Sequence, residues 1–242
     1  MKRPSRPTRR ATTALVAIAL AVGLVSLTTT RETPQATAAA AGTTAPGAGA
    51  FTDMTVVGDS ITALYNDRPG DDRQGWWSIV GRHLGVPVER YAQSGSGYLK
   101  VGRRCAGDTF GDRPGALASR PDLLVIEGGR NDWSYCRDGL PAVAPDAMVD
   151  EAVAAYLDAV RESVPASTRV VVLGPPWGPE AHEHAARVTA IVRAQAEAHG
   201  FEFVDMSGVL DASTVYDGTH PDREGSRRIA QRVIAHLEGA SA

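Results

Sequence analysis

The sequence predicts an α/β fold in which helices cover both faces of a parallel sheet. Two observations predict it: short apolar runs bounded by turn residues alternate with longer helical patterns, and the runs lead into glycine-bearing loops. The first run, residues 54–57, reads Met-Thr-Val-Val and stops at Gly58-Asp59-Ser60. Residues 76–84 read as a helix and 86–91 as the second strand. The third strand, 122–127, is closed by Gly128-Gly129-Arg130-Asn131-Asp132. An amphipathic helix over 148–164 precedes a strand at 169–173, which Gly174-Pro175-Pro176 ends. A helix over 180–199, a last strand at 201–204 and a closing helix over 223–237 complete five strands with helices between them. The region 94–120 is the one long irregular stretch, and the chain shows no internal repeat.

Of 242 residues, 43% are hydrophobic and 22% charged, which is ordinary for a globular domain and excludes a disordered chain or a multi-span membrane protein. The formal net charge of -3 hides an asymmetry. Six of the 25 basic residues and one of the 28 acidic ones precede residue 42, which leaves 19 basic against 27 acidic and a net charge of -8. An acidic body disfavours nucleic acid as a partner.

The N-terminus has the three parts of an export signal: basic residues up to Arg10, an apolar run over 11–27, and small residues over 36–41. The run is short and rich in Ala and Thr, which favours a cleaved signal over 1–41 against an uncleaved anchor. Arg9-Arg10 lacks the bulky apolar residues that a twin-arginine signal needs just after it. Residues 42–52 then read as a flexible leader and 53–238 as one domain. The protein is expected outside the cytoplasm, monomeric, and without stable membrane insertion once the signal is gone. Two cysteines, Cys105 and Cys136, suit an oxidising compartment and are expected to form a bridge between loops that each follow a strand. No CxxC is present, and His182 and His184, two apart on the expected helix, point to different faces, so neither a metal nor another cofactor is expected.

Ester hydrolysis by a serine needs a base, a group that orients the base, and donors aimed at the developing oxyanion. Ser60 follows the first strand, where a turn exposes its hydroxyl; it is equally suited to cap a helix. Asp217-Gly218-Thr219-His220 puts a carboxylate three residues before an imidazole, an arrangement that serves a triad or a simple surface turn. Asn131 offers a side-chain amide, and Ser94-Gly95-Ser96-Gly97 offers backbone N–H groups, although each also reads as turn chemistry. All of these lie beyond the carboxyl ends of strands, where an open parallel sheet binds its ligands. Asp59 and Asp132 are expected to bond backbone amides, and Arg130 to pair with an acid or meet a substrate oxygen.

Gly58-Asp59-Ser60, a glycine after the second strand, Gly129-Arg130-Asn131-Asp132 and Asp217-Gly218-Thr219-His220, in that order, resemble the four blocks of the SGNH/GDSL hydrolases. The resemblance implies a three-layer, flavodoxin-like fold with a five-stranded parallel sheet. It also implies a Ser60, His220, Asp217 triad and an oxyanion hole from the Ser60 N–H, a glycine N–H and the Asn131 amide. The first block has Ile61 where the family string has Leu, and the second, Tyr91-Ala92-Gln93-Ser94, lacks the family's leading Asn. Gly95 is therefore taken as the oxyanion glycine with Gly97 in reserve. The tryptophans and several tyrosines fall near the expected active edge, and Trp133, Tyr98 and Trp177 are candidates to contact substrate; the same aromatics would also serve as packing under the loops. The expected partner is an acyl ester, small or carried on a polysaccharide, with a short O-acetyl group favoured. A lipase, a thioesterase, an acyltransferase and a non-catalytic carbohydrate-binding module are the alternatives.

Overall fold

The computed structural model describes residues 51–64 and 71–239; the expected signal, 1–41, and all of the leader except Phe51 and Thr52 lie outside the described residues. Among the described residues, seven strands and six helices follow one another. They are β1 (Met54–Gly58), α1 (Ser60–Ala63), α2 (Trp76–Leu84), β2 (Val88–Ala92), α3 (Gly115–Ala118), β3 (Leu123–Glu127), β4 (Ser134–Arg137), β5 (Leu140–Val143), α4 (Asp146–Ser163), β6 (Arg169–Leu173), α5 (Ala185–Ala198), β7 (Glu202–Val204) and α6 (Arg223–Leu237). Five strands form one all-parallel sheet in the order β2-β1-β3-β6-β7, the doubly wound order in which the chain reverses direction beside β1.

Strand β3 shows why such a sheet needs helices on both sides. Its side chains alternate, so Leu123 and Val125 enter a core with Trp76, Val80, Ile229 and Val233, while Leu124 and Ile126 enter another with Val153, Leu157, Val188 and Val192. Helices α2 and α6 thus cover one face, α4 and α5 the other. Phe51 belongs to the first core, and Thr52 donates from N and Oγ1 to Asp122 Oδ2 at 2.8 and 2.7 Å, so the last two residues of the expected leader are part of the fold.

Helices α2 and α6 and strand β6 have the limits the sequence predicts. Strand β2 starts two residues late because Val86 N turns back to Gly81 O, closing α2, and Pro87 has no N–H to give a ladder. Helix α5 starts at Ala185, not 180, so His182 and His184 sit on its lead-in and converge on Trp133, correcting their expected divergence on a helix. Strands β4 and β5 form an antiparallel hairpin around Asp138 and Gly139, both at positive φ. Cys136 on β4 is joined to Cys105, with Cα atoms 5.6 Å apart, so the bridge ties the hairpin to the 94–120 stretch. That stretch contains a 3-10 turn at Arg103–Cys105 and the short helix α3.

Candidate active site

Strand β1 ends in a turn too tight for any residue but glycine at 58, where a Cβ would sit 2.3 Å from Thr62 Oγ1. Asp59, fully buried, is the residue that caps α1: its Oδ1 accepts from Ile61 N at 2.8 Å. Ser60 is the first helical residue and not the cap that the sequence also allowed. Its side chain lies at the surface end of the turn with the residue 8% exposed.

The loop before α6 brings up His220. Asp217 Oδ1 accepts from Thr219 N and His220 N at 3.0 and 2.7 Å, and Gly218 takes positive φ to let the chain fold back. The other oxygen, Oδ2, lies 2.7 Å from His220 Nδ1, and His220 Nε2 lies 3.0 Å from Ser60 Oγ. A carboxylate only accepts, so Nδ1 carries the ring proton and Nε2 is left as acceptor for the serine hydroxyl. Partial burial raises the Asp217 pKa, but the hydrogen bonds from His220 and Thr219 outweigh it and hold the carboxyl below its ordinary range. Arg130 clamps the loop from below: it donates to Thr219 Oγ1 and Pro176 O, both at 3.3 Å, and lies over the Trp177 ring. Buried, it forms no close ion pair among the described residues.

The segment after β2 is held by Asp132, whose buried carboxylate accepts from the backbone N–H of Tyr98, Leu99 and Lys100 at 3.1, 2.9 and 2.8 Å. The turn fixes the two glycines differently. Gly97 N donates to Lys100 O at 3.0 Å, which removes it as the reserve oxyanion donor. Gly95 has φ +77° and packs against the Arg103 backbone, and among the described residues its N–H, like that of Ser60, has no hydrogen-bond partner. Asn131 reaches the same place, but both hydrogens of its amide are engaged, with Ser96 O at 2.8 Å and Asp59 Oδ2 at 3.1 Å.

Sequence reasoning passed over Glu127. It ends β3 directly behind the Ser60 turn, fully buried, with Oε2 accepting from Thr62 Oγ1 at 2.9 Å and Asp59 N at 3.4 Å and Oε1 without a partner among the described residues. Burial first, then the Asp59 charge beside it, push its carboxyl well above the ordinary range, and Asp59 is raised too, chiefly by burial. The signal was present: an acid following four apolar residues in a strand buried on both faces.

Of the aromatic candidates, Tyr98 is corrected outright. It is 5% exposed and packs on Phe110 and Tyr156 in the core, as Trp76 and Trp77 do on the opposite face. Trp133 is half-buried with His182 stacked on it at 3.9 Å, and Trp177 is half-buried between Arg130 and α5, with Nε1 donating to Thr189 Oγ1. The aromatic side chain beside His220 is Tyr216, 58% exposed and nearly parallel to its ring. Among the described residues no group of three or more His, Cys, Asp or Glu side chains could hold a metal ion, and no helix is long and apolar enough to cross a membrane.

The chain is 29% identical, over 74% of its length and 79% of the relative's, to a GDSL lipase of Mycobacterium tuberculosis. Its fold is similar to that of a family two carbohydrate esterase from Clostridium thermocellum, solved with cellohexaose (TM-score 0.60, 21% identity, 77% of this chain and 63% of that one). It is equally similar to LAE5, an alpha/beta hydrolase enzyme from the Lake Arreo metagenome (TM-score 0.60, 17% identity, 79% and 97% covered). The model of one family matches residues 56–228, most of the domain just described, and the chain therefore belongs to the GDSL-like lipase/acylhydrolase family.

Proposed function

We propose that this protein is an exported serine ester hydrolase that removes short acyl groups, acetyl above all, from carbohydrate hydroxyls. The observation that carries the chemistry is the chain of contacts from Ser60 Oγ through His220 to Asp217, at 3.0 and 2.7 Å. Ser60 Oγ attacks the acyl carbon while Nε2 takes its proton, giving a tetrahedral oxyanion. The imidazolium, stabilised by Asp217, then protonates the leaving alcohol, and an acyl-serine remains. Water attacks that ester with His220 again as base, releasing the acid and restoring Ser60. The unpartnered N–H groups of Ser60 and Gly95 are the oxyanion donors, and Asn131 joins them by sharing one amide hydrogen now held by Asp59 or Ser96.

Preference for a sugar ester is supported by the fold shared with a carbohydrate esterase and by the absence of a long apolar segment over the site among the described residues. The curated relative's description as a lipase favours longer acyl chains as the second reading. Export is supported by the N-terminal pattern and by the Cys105–Cys136 bridge, a bond of oxidising compartments. The test is hydrolysis of p-nitrophenyl esters from acetate to palmitate, with Ser60→Ala as control. A Ser60-dependent rate highest on acetate is expected; a maximum on palmitate supports the lipase reading, and no Ser60-dependent rate on any ester sinks hydrolysis.

A further inference from the structure

We propose that the groove between α2 and α6 binds anionic groups of the polymer that carries the ester, so that the substrate is an acidic, O-acylated polysaccharide. The inference rests on the hydrolase reading of Ser60 and names its substrate class. The groove has a volume of about 660 Å³ and gathers Arg73, Arg82, Arg223 and Arg227 around a single carboxylate, Glu224. Four arginines line one groove of a domain whose residues from 42 onward carry a net charge of -8.

Their internal partners are few. Glu224 is taken by Arg227 at 2.6 Å and by Arg228 at 3.3 Å, and Arg82 donates to Ser78 Oγ at 2.8 Å. The side chains of Arg73 and Arg223 make no hydrogen bond or ion pair among the described residues. Their placement works against the fold. Arg223 opens α6, where the helix end is itself partly positive, and Arg223 and Arg227 are like charges one turn apart on the same face. An external anion would relieve both.

The groove begins at the catalytic edge. Arg223 is three residues beyond His220, which limits the separation of their Cα atoms to ~11 Å. On the other side, Gln74 and Arg73 lie two and three residues before Trp76, whose buried indole donates from Nε1 to Thr62 Oγ1, two residues after Ser60. A strand of polymer lying in the groove would thus lead to the triad. Guanidinium forks match carboxylate and phosphate oxygens and give a neutral glycan little to bind. A lipid surface fits less well, because the exposed large apolar residues, Leu140, Val143 and Tyr216, all lie outside the groove.

The test compares the wild-type protein with Arg73→Gln/Arg223→Gln and Arg73→Glu/Arg223→Glu. Binding is measured to polygalacturonate, polyphosphate, neutral dextran and phosphatidylglycerol vesicles, and turnover on p-nitrophenyl acetate, O-acetylated polygalacturonate and O-acetylated xylan. The expected result is salt-sensitive binding of a soluble polyanion, polygalacturonate if the groove takes carboxylates and polyphosphate if it takes phosphates, weakened roughly tenfold by the double Glu variant and less by the Gln one. The kcat/KM on acetylated polygalacturonate falls with a carboxylate groove, while that on p-nitrophenyl acetate and acetylated xylan does not. Equal polyanion binding by wild type and the Glu variant, an equal loss on acetylated xylan, or binding to vesicles alone would overturn the proposal. Failure of the hydrolase reading is separate: it shows as no turnover of p-nitrophenyl acetate by the wild type, whatever the polyanion binding.

Discussion

Replacing Glu127 by Gln should change how the stability of the protein depends on pH. Glu127 and Asp59 are both fully buried, burial raises both, and the Asp59 charge raises Glu127 further, while Arg130 lowers Asp59. With two carboxyls in one dry space, the folded protein keeps a proton there, held on Glu127, whose carboxyl lies well above its ordinary value of 4.5. The unfolded chain releases that proton once the pH passes the ordinary value. From there upward the native state binds one proton more than the unfolded state, so its stability falls as pH rises, by about 1.4 kcal/mol per pH unit. Gln fills the same space with a hydrogen that does not titrate. The stability difference between Glu127→Gln and wild type should therefore grow in favour of the variant as pH rises above about 5, at up to ~1.4 kcal/mol per unit, until the pH reaches the raised Glu127 value. Urea unfolding at constant ionic strength measures it at several pH values, and any fixed cost of the amide shifts the whole difference without changing its slope. Parallel curves would refute the argument, since they would mean that Glu127 is ionised in the folded protein.

Asp132→Ala should cost ~3–5 kcal/mol in urea unfolding, because it leaves the N–H groups of Tyr98, Leu99 and Lys100 without an acceptor; a loss under about 1 kcal/mol would show that the segment holds itself. Gly97→Ala places a Cβ 2.3 Å from Asp132 Oδ1 in a site that three amides fix, so a loss of ~1–3 kcal/mol is expected by the same measurement. Asp217→Asn should lower kcat on p-nitrophenyl acetate by roughly 10³-fold or more, since an amide cannot hold the His220 tautomer, and unchanged kcat would remove Asp217 from the reaction. Acidification gives a matching sign check. The depressed Asp217 pKa means its carboxylate stabilises the fold above its ordinary range and loses that effect as pH falls through the lowered value, so activity that survived full protonation of Asp217 would contradict its role.

The sheet and its helices were legible because burial on both faces writes itself as uninterrupted apolar runs, and β3 and β6 are read directly from Leu-Leu-Val-Ile and Val-Val-Val-Leu. The positions of Ser60, His220 and Asp217 were legible because a short loop fixes Asp217 and His220 relative to each other, and strand ends fix where the loops meet. The β4–β5 hairpin was not, since its strands have four residues each, include Pro141 and leave Leu140 and Val143 in solvent, so no periodic signal develops. Tyr98 was misplaced for a related reason. An aromatic in a loop reads the same whether it points out or, as here, fills the space between Phe110 and Tyr156. Which N–H groups are spent depends on turn geometry, which is why Gly95 and Gly97 looked alike in one dimension.

Ser60 and His220 are 160 residues apart, and that distance sets the order in which competence arises. The serine is near the start of the domain and its turn is built on β1, a central strand that pairs with β2 soon after it emerges. The imidazole arrives with the loop ahead of α6, the last of the described elements, which shares a core with α2. Chains cut short before α6 therefore carry the proposed nucleophile without its base, and hydrolytic activity would report completion of the fold, not its onset.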